Sequence, residues 1–220
     1  MRLLASILAV LLAFAPLAAG ASAPADNAAF VTAAYQLVLG RPADAAATAF
    51  TNQLNAGSIT RDQLVAALMN SHEFRSLEVA ALYARLLHRP ADSAGSNQLI
   101  GLLDQGQTSS AIAAQLLGSQ EYFTLSGNSN AGFLARVYQD ILGRPVDAPA
   151  AQAWNVQFAE GVSRQQVAHA ILTSTEGNAG FLTLLYNNVL HRPGAPTGST
   201  LLQAAQAILN ATPAPIRRRT

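Results

Sequence analysis

Cysteine and lysine are both missing from this chain of 220 residues. Without cysteine there can be no disulfide, no thiolate metal site and no lipid attached to a lipoprotein cysteine. Without lysine the phosphate-loop pattern cannot be completed. Charge is scarce as well, at 11% of residues, and every positive side chain is arginine. Setting aside Arg2 and the terminal Arg217, Arg218 and Arg219, nine arginines face twelve acidic residues. The body is mildly acidic, with no clustered basic surface for nucleic acid. The terminal "RRR" run reads as a solvated end. Runs of β-branched residues alternating with period two are few, so no sheet is expected.

Catalytic patterns are equally thin. "GNSNAG" fails the Gly-x-Ser-x-Gly pattern at Ala131 and follows no strand signal. A zinc site needs three or four ligands, and the four histidines form no His-x-x-x-His pair. His88 and His191 fall in the slot held by Gly40 and Gly143, as expected of exposed loop residues. Trp154, the single tryptophan, sits where helix packing explains it better than ligand stacking. No catalytic, cofactor or metal residue is assigned, and no enzyme is expected.

What the chain does have is apolar residues, half of the total, enough for a core of ordinary size. The first of them form a separate unit. Met1-Arg2, the apolar run Leu3 to Ala15 and the small residues after Pro16 have the layout of a secretory signal peptide, too short in its apolar core to span a bilayer. Cleavage after Ala21 is expected, giving an exported chain, periplasmic or extracellular.

The rest repeats. "YQLVLGRPAD" from Tyr35 returns as "YARLLHRPAD", "YQDILGRPVD" and "YNNVLHRPGA", with Arg-Pro at Arg41, Arg89, Arg144 and Arg192, spaced 48, 55 and 48 residues apart. A period near 50 residues marks a repeat architecture in which neighbours share a core. "LGRP" alternates with "LHRP", as if a unit doubled and the pair doubled again. The predicted organisation is a signal peptide at 1–21, a first repeat pair at 26–125, a polar linker at 126–132, a second pair at 133–210 with its last unit truncated, and a disordered basic tail at 211–220.

Each unit reads as three helices, giving an all-α repeat in two similar lobes. Val31, Tyr35, Val38 and Leu39 share one face, and so do Val79, Leu82, Tyr83, Leu86 and Leu87. Proline ends this first helix. Asp44, Asp92 and Asp147 are placed as N-caps of a second helix, which Gly57, Gly106 and Gly161 end. Thr60, Thr108 and Ser163 cap a third. Tyr35, Tyr83, Tyr138 and Tyr186 are expected to be buried against the leucine before each Arg-Pro.

These residues at these separations resemble the bacterial family called domain of unknown function 4214. Unit one carries the resemblance through Tyr35, Leu39, Arg41, Asp44, Gly57, Ser71, Glu73 and Phe74. Unit two does so through Tyr83, Arg89, Asp92, Gly95, Gly106, Ser119, Glu121 and Tyr122. Unit three does so through Tyr138, Arg144, Asp147, Trp154, Gly161, Ser174 and Glu176. Ala47, Gln98 and Gly177 depart from the family pattern, and Ala195 replaces the capping aspartate of the fourth unit. The family is similar to the helical linker domains of phycobilisomes and recurs in secreted and cell-surface proteins. The resemblance implies a helical exported module and brings no reaction with it.

Arginine and glutamate recur together: Arg41 with Glu73, Arg89 with Glu121, Arg144 with Glu176, each 32 residues apart. A guanidinium can clamp a ligand carboxylate or phosphate in two-point fashion. It can equally fold back on the unit's own glutamate, and recurrence of both partners favours that reading. Two functions fit. One is a non-catalytic interaction or scaffold module of the cell envelope, binding an envelope or surface protein, a glycan or itself. The other is a periplasmic small-molecule-binding or hydrolytic protein using the cleft between the lobes.

Overall fold

Each of the three described Arg-Pro pairs stops a helix, and the residue just before it takes the left-handed conformation that closes a helix end: Gly40 at φ 69°, His88 at φ 55° and Gly143 at φ 68°. The computed structural model describes residues 24–189. The predicted signal peptide, the fourth unit from residue 190, the predicted basic tail and the side chain of Tyr186 lie outside the described residues.

Unit one comprises α1 (Pro24–Leu39), α2 (Ala46–Asn55) and α3 (Arg61–Met69). Unit two comprises α4 (His72–Leu82), continued by a π-helical turn (Tyr83–Leu87), then α5 (Ser93–Asp104) and α6 (Ser109–Gly118). A short α7 (Gln120–Leu125) precedes unit three, which comprises α8 (Asn130–Val137) with its own π turn (Tyr138–Leu142), α9 (Ala148–Ala159) and α10 (Arg164–Thr173). The last described helix is α11 (Thr175–Val189). The described residues contain no strand.

Capping decides where these helices begin. Asp92 accepts from the Gly95 amide and Asp147 from the Ala150 amide, each as an N-cap. Unit one departs from the expected pattern. There α2 starts behind Ala45, and Asp44 accepts from the Ala46 amide at 2.9 Å without being the cap residue itself. Thr60 and Ser163 form full capping boxes with Gln63 and Gln166.

Ser71, Ser119 and Ser174, one or two residues past the third helix, each cap a further helix. That further helix is also the first helix of the next unit: α4 begins at "HEF" and runs through Tyr83 to Leu87. Likewise α11 begins at "TEG" and carries the fourth unit's tyrosine. Only between units two and three is the shared helix broken, into α7 and α8, by a turn at residues 126–129. The spacing of 55 there against 48 elsewhere is this break.

One hydrophobic cluster runs through all the described units, from Phe30 and Val31 to Phe181 and Leu185. α1 and α11 both pack against α4. The most extensive helix contact joins α6 of unit two to α10 of unit three. It is close because Gly118 has no side chain, and a Cβ there would lie 2.6–2.8 Å from Gln165.

Candidate functional site

The recurring motif assembles into three copies of one polar joint. Tyr35, Tyr83 and Tyr138 are buried, at 3%, 6% and 6% exposure. Over their rings lie Arg41, Arg89 and Arg144, with guanidinium carbons 5.2, 5.0 and 5.3 Å from the ring centroids. Each arginine then donates twice to its glutamate. Arg41 reaches Glu73 at 2.5 and 2.8 Å, Arg89 reaches Glu121 at 2.6 and 2.8 Å, and Arg144 reaches Glu176 at 2.6 and 2.9 Å. It also donates to the carbonyl of the following proline and pairs with Asp44, Asp92 or Asp147.

The guanidinium holds the carboxyls of Glu73, Glu121 and Glu176 below their ordinary range through these side-chain hydrogen bonds. Because both edges and one face of the guanidinium are engaged, the joint is closed on itself. It ties the end of one first helix to the start of the next. Both partners stay half-exposed, so the pair sits at the rim of the core.

A second polar node was not visible in the sequence. Asp140 is only 10% exposed in its side chain. It accepts from the Tyr122 hydroxyl at 2.9 Å and from Arg85 at 3.1 Å, and pairs with Arg136 at 3.5 Å. Arg136 also donates to the carbonyls of Leu125 and Leu86, at 2.8 and 3.2 Å, and stacks on the Tyr122 ring. Burial and the adjacent Asp140 carboxylate push the Tyr122 hydroxyl far above its ordinary pKa. The node fastens the broken joint between units two and three. Its one trace in the sequence is a charge reversal at equivalent positions, since Arg85 and Asp140 each stand two residues after their unit's tyrosine.

Beside the α6–α10 crossing lies a shallow groove of about 350 Å³, lined by Gly118, Asn130, Phe158, Val162, Ser163, Arg164 and Gln165. No carboxylate or histidine lines it. Arg164 stacks on Phe123 with its guanidinium carbon 3.9 Å from the centroid. Next to the groove, α9 buries none of its residues fully, unlike α2 and α5. It carries Val156 at 51% exposure and no charged side chain. Trp154 on the same helix is half-buried and donates to the Tyr138 hydroxyl at 2.9 Å, a packing role. Among the described residues no group of three His, Asp or Glu could hold a metal ion, and no helix is long and apolar enough to cross a membrane.

The model of a domain of unknown function (DUF4214) matches residues 16–77 and 113–181. The first match covers unit one up to the start of the shared helix α4, and the second covers most of α6 through unit three into α11. No curated protein matches the chain significantly. No solved structure does so either.

Proposed function

Because the chain belongs to the family of the domain of unknown function DUF4214, we propose that it works as an exported, non-catalytic interaction or scaffold module of the bacterial cell envelope or surface. The observation that carries this reading is the closed Tyr–Arg–Glu joint. The most regular polar residues of the chain are engaged with one another, where they fix the angle between successive units. Such joints make a stiff support for surfaces displayed on its flanks. The uncharged, loosely packed α9, with Val156 outward, is the flank best suited to contact an envelope protein, a glycan or a second copy. Export rests on the amino-terminal run of Leu3 to Ala15.

The other reading, a small-molecule-binding or hydrolytic protein using the cleft between the repeat pairs, would use the groove beside α10. Its one charged lining residue is Arg164.

A photo-crosslinking residue at Val156, expressed in the intact cell with the full chain, tests the proposal. The expected result is a chain processed after Ala21, outside the cytoplasm, with a discrete crosslinked species that a probe at Arg61 does not give. An unprocessed cytoplasmic chain, or identical crosslinking from both positions, would overturn it.

A further inference from the structure

Five residues before each unit's tyrosine the chain places a core side chain. In units one, three and four it is phenylalanine: Phe30, Phe133 and Phe181, at 9%, 0% and 0% exposure. In unit two it is Glu78, at 4% exposure. A carboxyl therefore occupies a position that the same architecture elsewhere fills with an aromatic ring. Its partners are few. Ser109, the first residue of α6, hydrogen-bonds the carboxyl, while Oε1 has no hydrogen-bond partner. The equivalents of Ser109 in units one and three are Arg61 and Arg164, each of which stacks on a phenylalanine. Unit two thus lacks the ring, and a serine stands where unit one has the arginine that stacks on it.

The charged groups around Glu78 do little to hold an anion there. Arg75, on α4 itself, is the cation whose field reaches the carboxyl, and Arg75 is already paired with Asp104 of α5. From α6 come only hydroxyls, those of Ser109 and Ser110, both buried. α3 carries Arg61, which lies over Phe30 of α1, and Asp62; α11 brings Glu176, held by Arg144. Burial of an ion without a dedicated counter-charge is strongly unfavourable, so the neutral acid is the form the core accepts.

We infer that Glu78 is a pH-sensitive latch at the centre of the repeat array: as a neutral acid it fills the core phenylalanine position of unit two, and on ionising it loosens α4 from α6. Burial raises the Glu78 carboxyl above its ordinary value. For a carboxyl raised in the folded chain, the unfolded chain loses its proton first as pH increases. Stability is therefore full below the unfolded value and falls as pH climbs from there to the folded value. The unfolding constant rises by at most about tenfold for each pH unit across that window. Loosening falls on α4, the helix shared by units one and two and touched by α11, so the disturbance reaches three units at once.

The test is the urea midpoint of the full chain from pH 4 to pH 9, for the parent, Glu78→Gln and Glu78→Phe, together with a carbon-13 titration of the Glu78 carboxyl. The parent midpoint should fall with rising pH. The Gln variant should lose that slope, and the Phe variant should lose it while gaining stability. Amide exchange in α4 and α6 should lose protection with pH in the parent beyond the base-catalysed trend seen in Glu78→Phe. Parallel midpoint curves for the parent and Glu78→Phe, or a carboxyl titrating near pH 4 to 5, would overturn the inference. If Glu78→Gln fails to fold, the Phe variant and the carboxyl titration still decide it.

Discussion

A methyl group at Gly95 would lie 2.2 Å from the Tyr83 hydroxyl oxygen and 3.2 Å from its ring carbon. The small residue at the start of α5 is what lets the buried tyrosine lie under Arg89. Gly95→Ala should cost about 1–3 kcal/mol by overpacking, and the loss should shrink sharply in a Tyr83→Phe background, where the oxygen is gone. Equal losses in the two backgrounds, measured by urea unfolding, would show that the hydroxyl is not the obstacle. The arginine above it makes a prediction of opposite pH sign to that of Glu78. Glu121 is held below its ordinary value of 4.5 by the Arg89 hydrogen bonds. Its stabilising contribution is therefore full above that ordinary value and is lost as pH falls through the lower folded one. Glu121→Gln should flatten the acid limb of a melting-temperature profile taken from pH 2 to pH 6. The loss near neutrality should be smaller than that of Gly95→Ala, because the pair is half-exposed. An acid limb unchanged by Glu121→Gln would mean that other carboxyls control acid unfolding.

Helix ends were legible in the sequence because they are set locally. Proline after arginine, glycine in the left-handed slot and a hydroxyl or carboxylate at the N-cap act within a few residues, and Thr60, Asp92, Thr108, Asp147 and Ser163 cap as their chemistry dictates. The third helix and the Ser-x-Glu segment after it were harder to divide. A gap of one or two residues can be a kink or a new helix, and only the serine hydroxyls accepting from Phe74, Tyr122 and Gly177 show the latter. The Asp140 node lay beyond sequence reasoning, since Arg85 and Asp140 are 55 residues apart and meet only through tertiary packing. The node also makes the break between α7 and α8 rigid, because Arg136 satisfies the open carbonyls of Leu125 and Leu86. Arg136→Ala should cost about 3 kcal/mol, as expected for removing one partner of a largely buried pair. It should also raise amide exchange in α7 before α3. If α3 exchanges first, the node is not what holds the joint.

Among the described residues the repeat pairs are joined by the turn at residues 126–129, by the Asp140 node, by α11 on α4 and by the crossing of α6 over α10. The crossing is the most extensive of these contacts. Ala113, Ala114 and Ala168 are buried along these two helices, and Gly118 brings the end of α6 against the backbone of Gln165 at the start of α10. Small residues at a crossing let helix axes approach and exchange side-chain contacts for backbone ones, so there is little slack to absorb a larger group. Gly118→Val should force the two helices apart, at a cost of about 1–3 kcal/mol. The Arg41–Glu73 joint, held between α1 and α4 and outside both crossing helices, should keep its geometry. The expected outcome is an expanded chain whose secondary structure is intact: unchanged far-ultraviolet circular dichroism, a larger radius of gyration by small-angle scattering, and faster proteolysis at residues 126–129. Should the radius of gyration stay constant while helix content falls, the crossing would be part of each unit's own folding core and not the coupling between the pairs. Gly118→Ala grades the effect. Its methyl needs only part of the displacement that valine requires, so its loss of stability should fall between those of the parent and the valine variant.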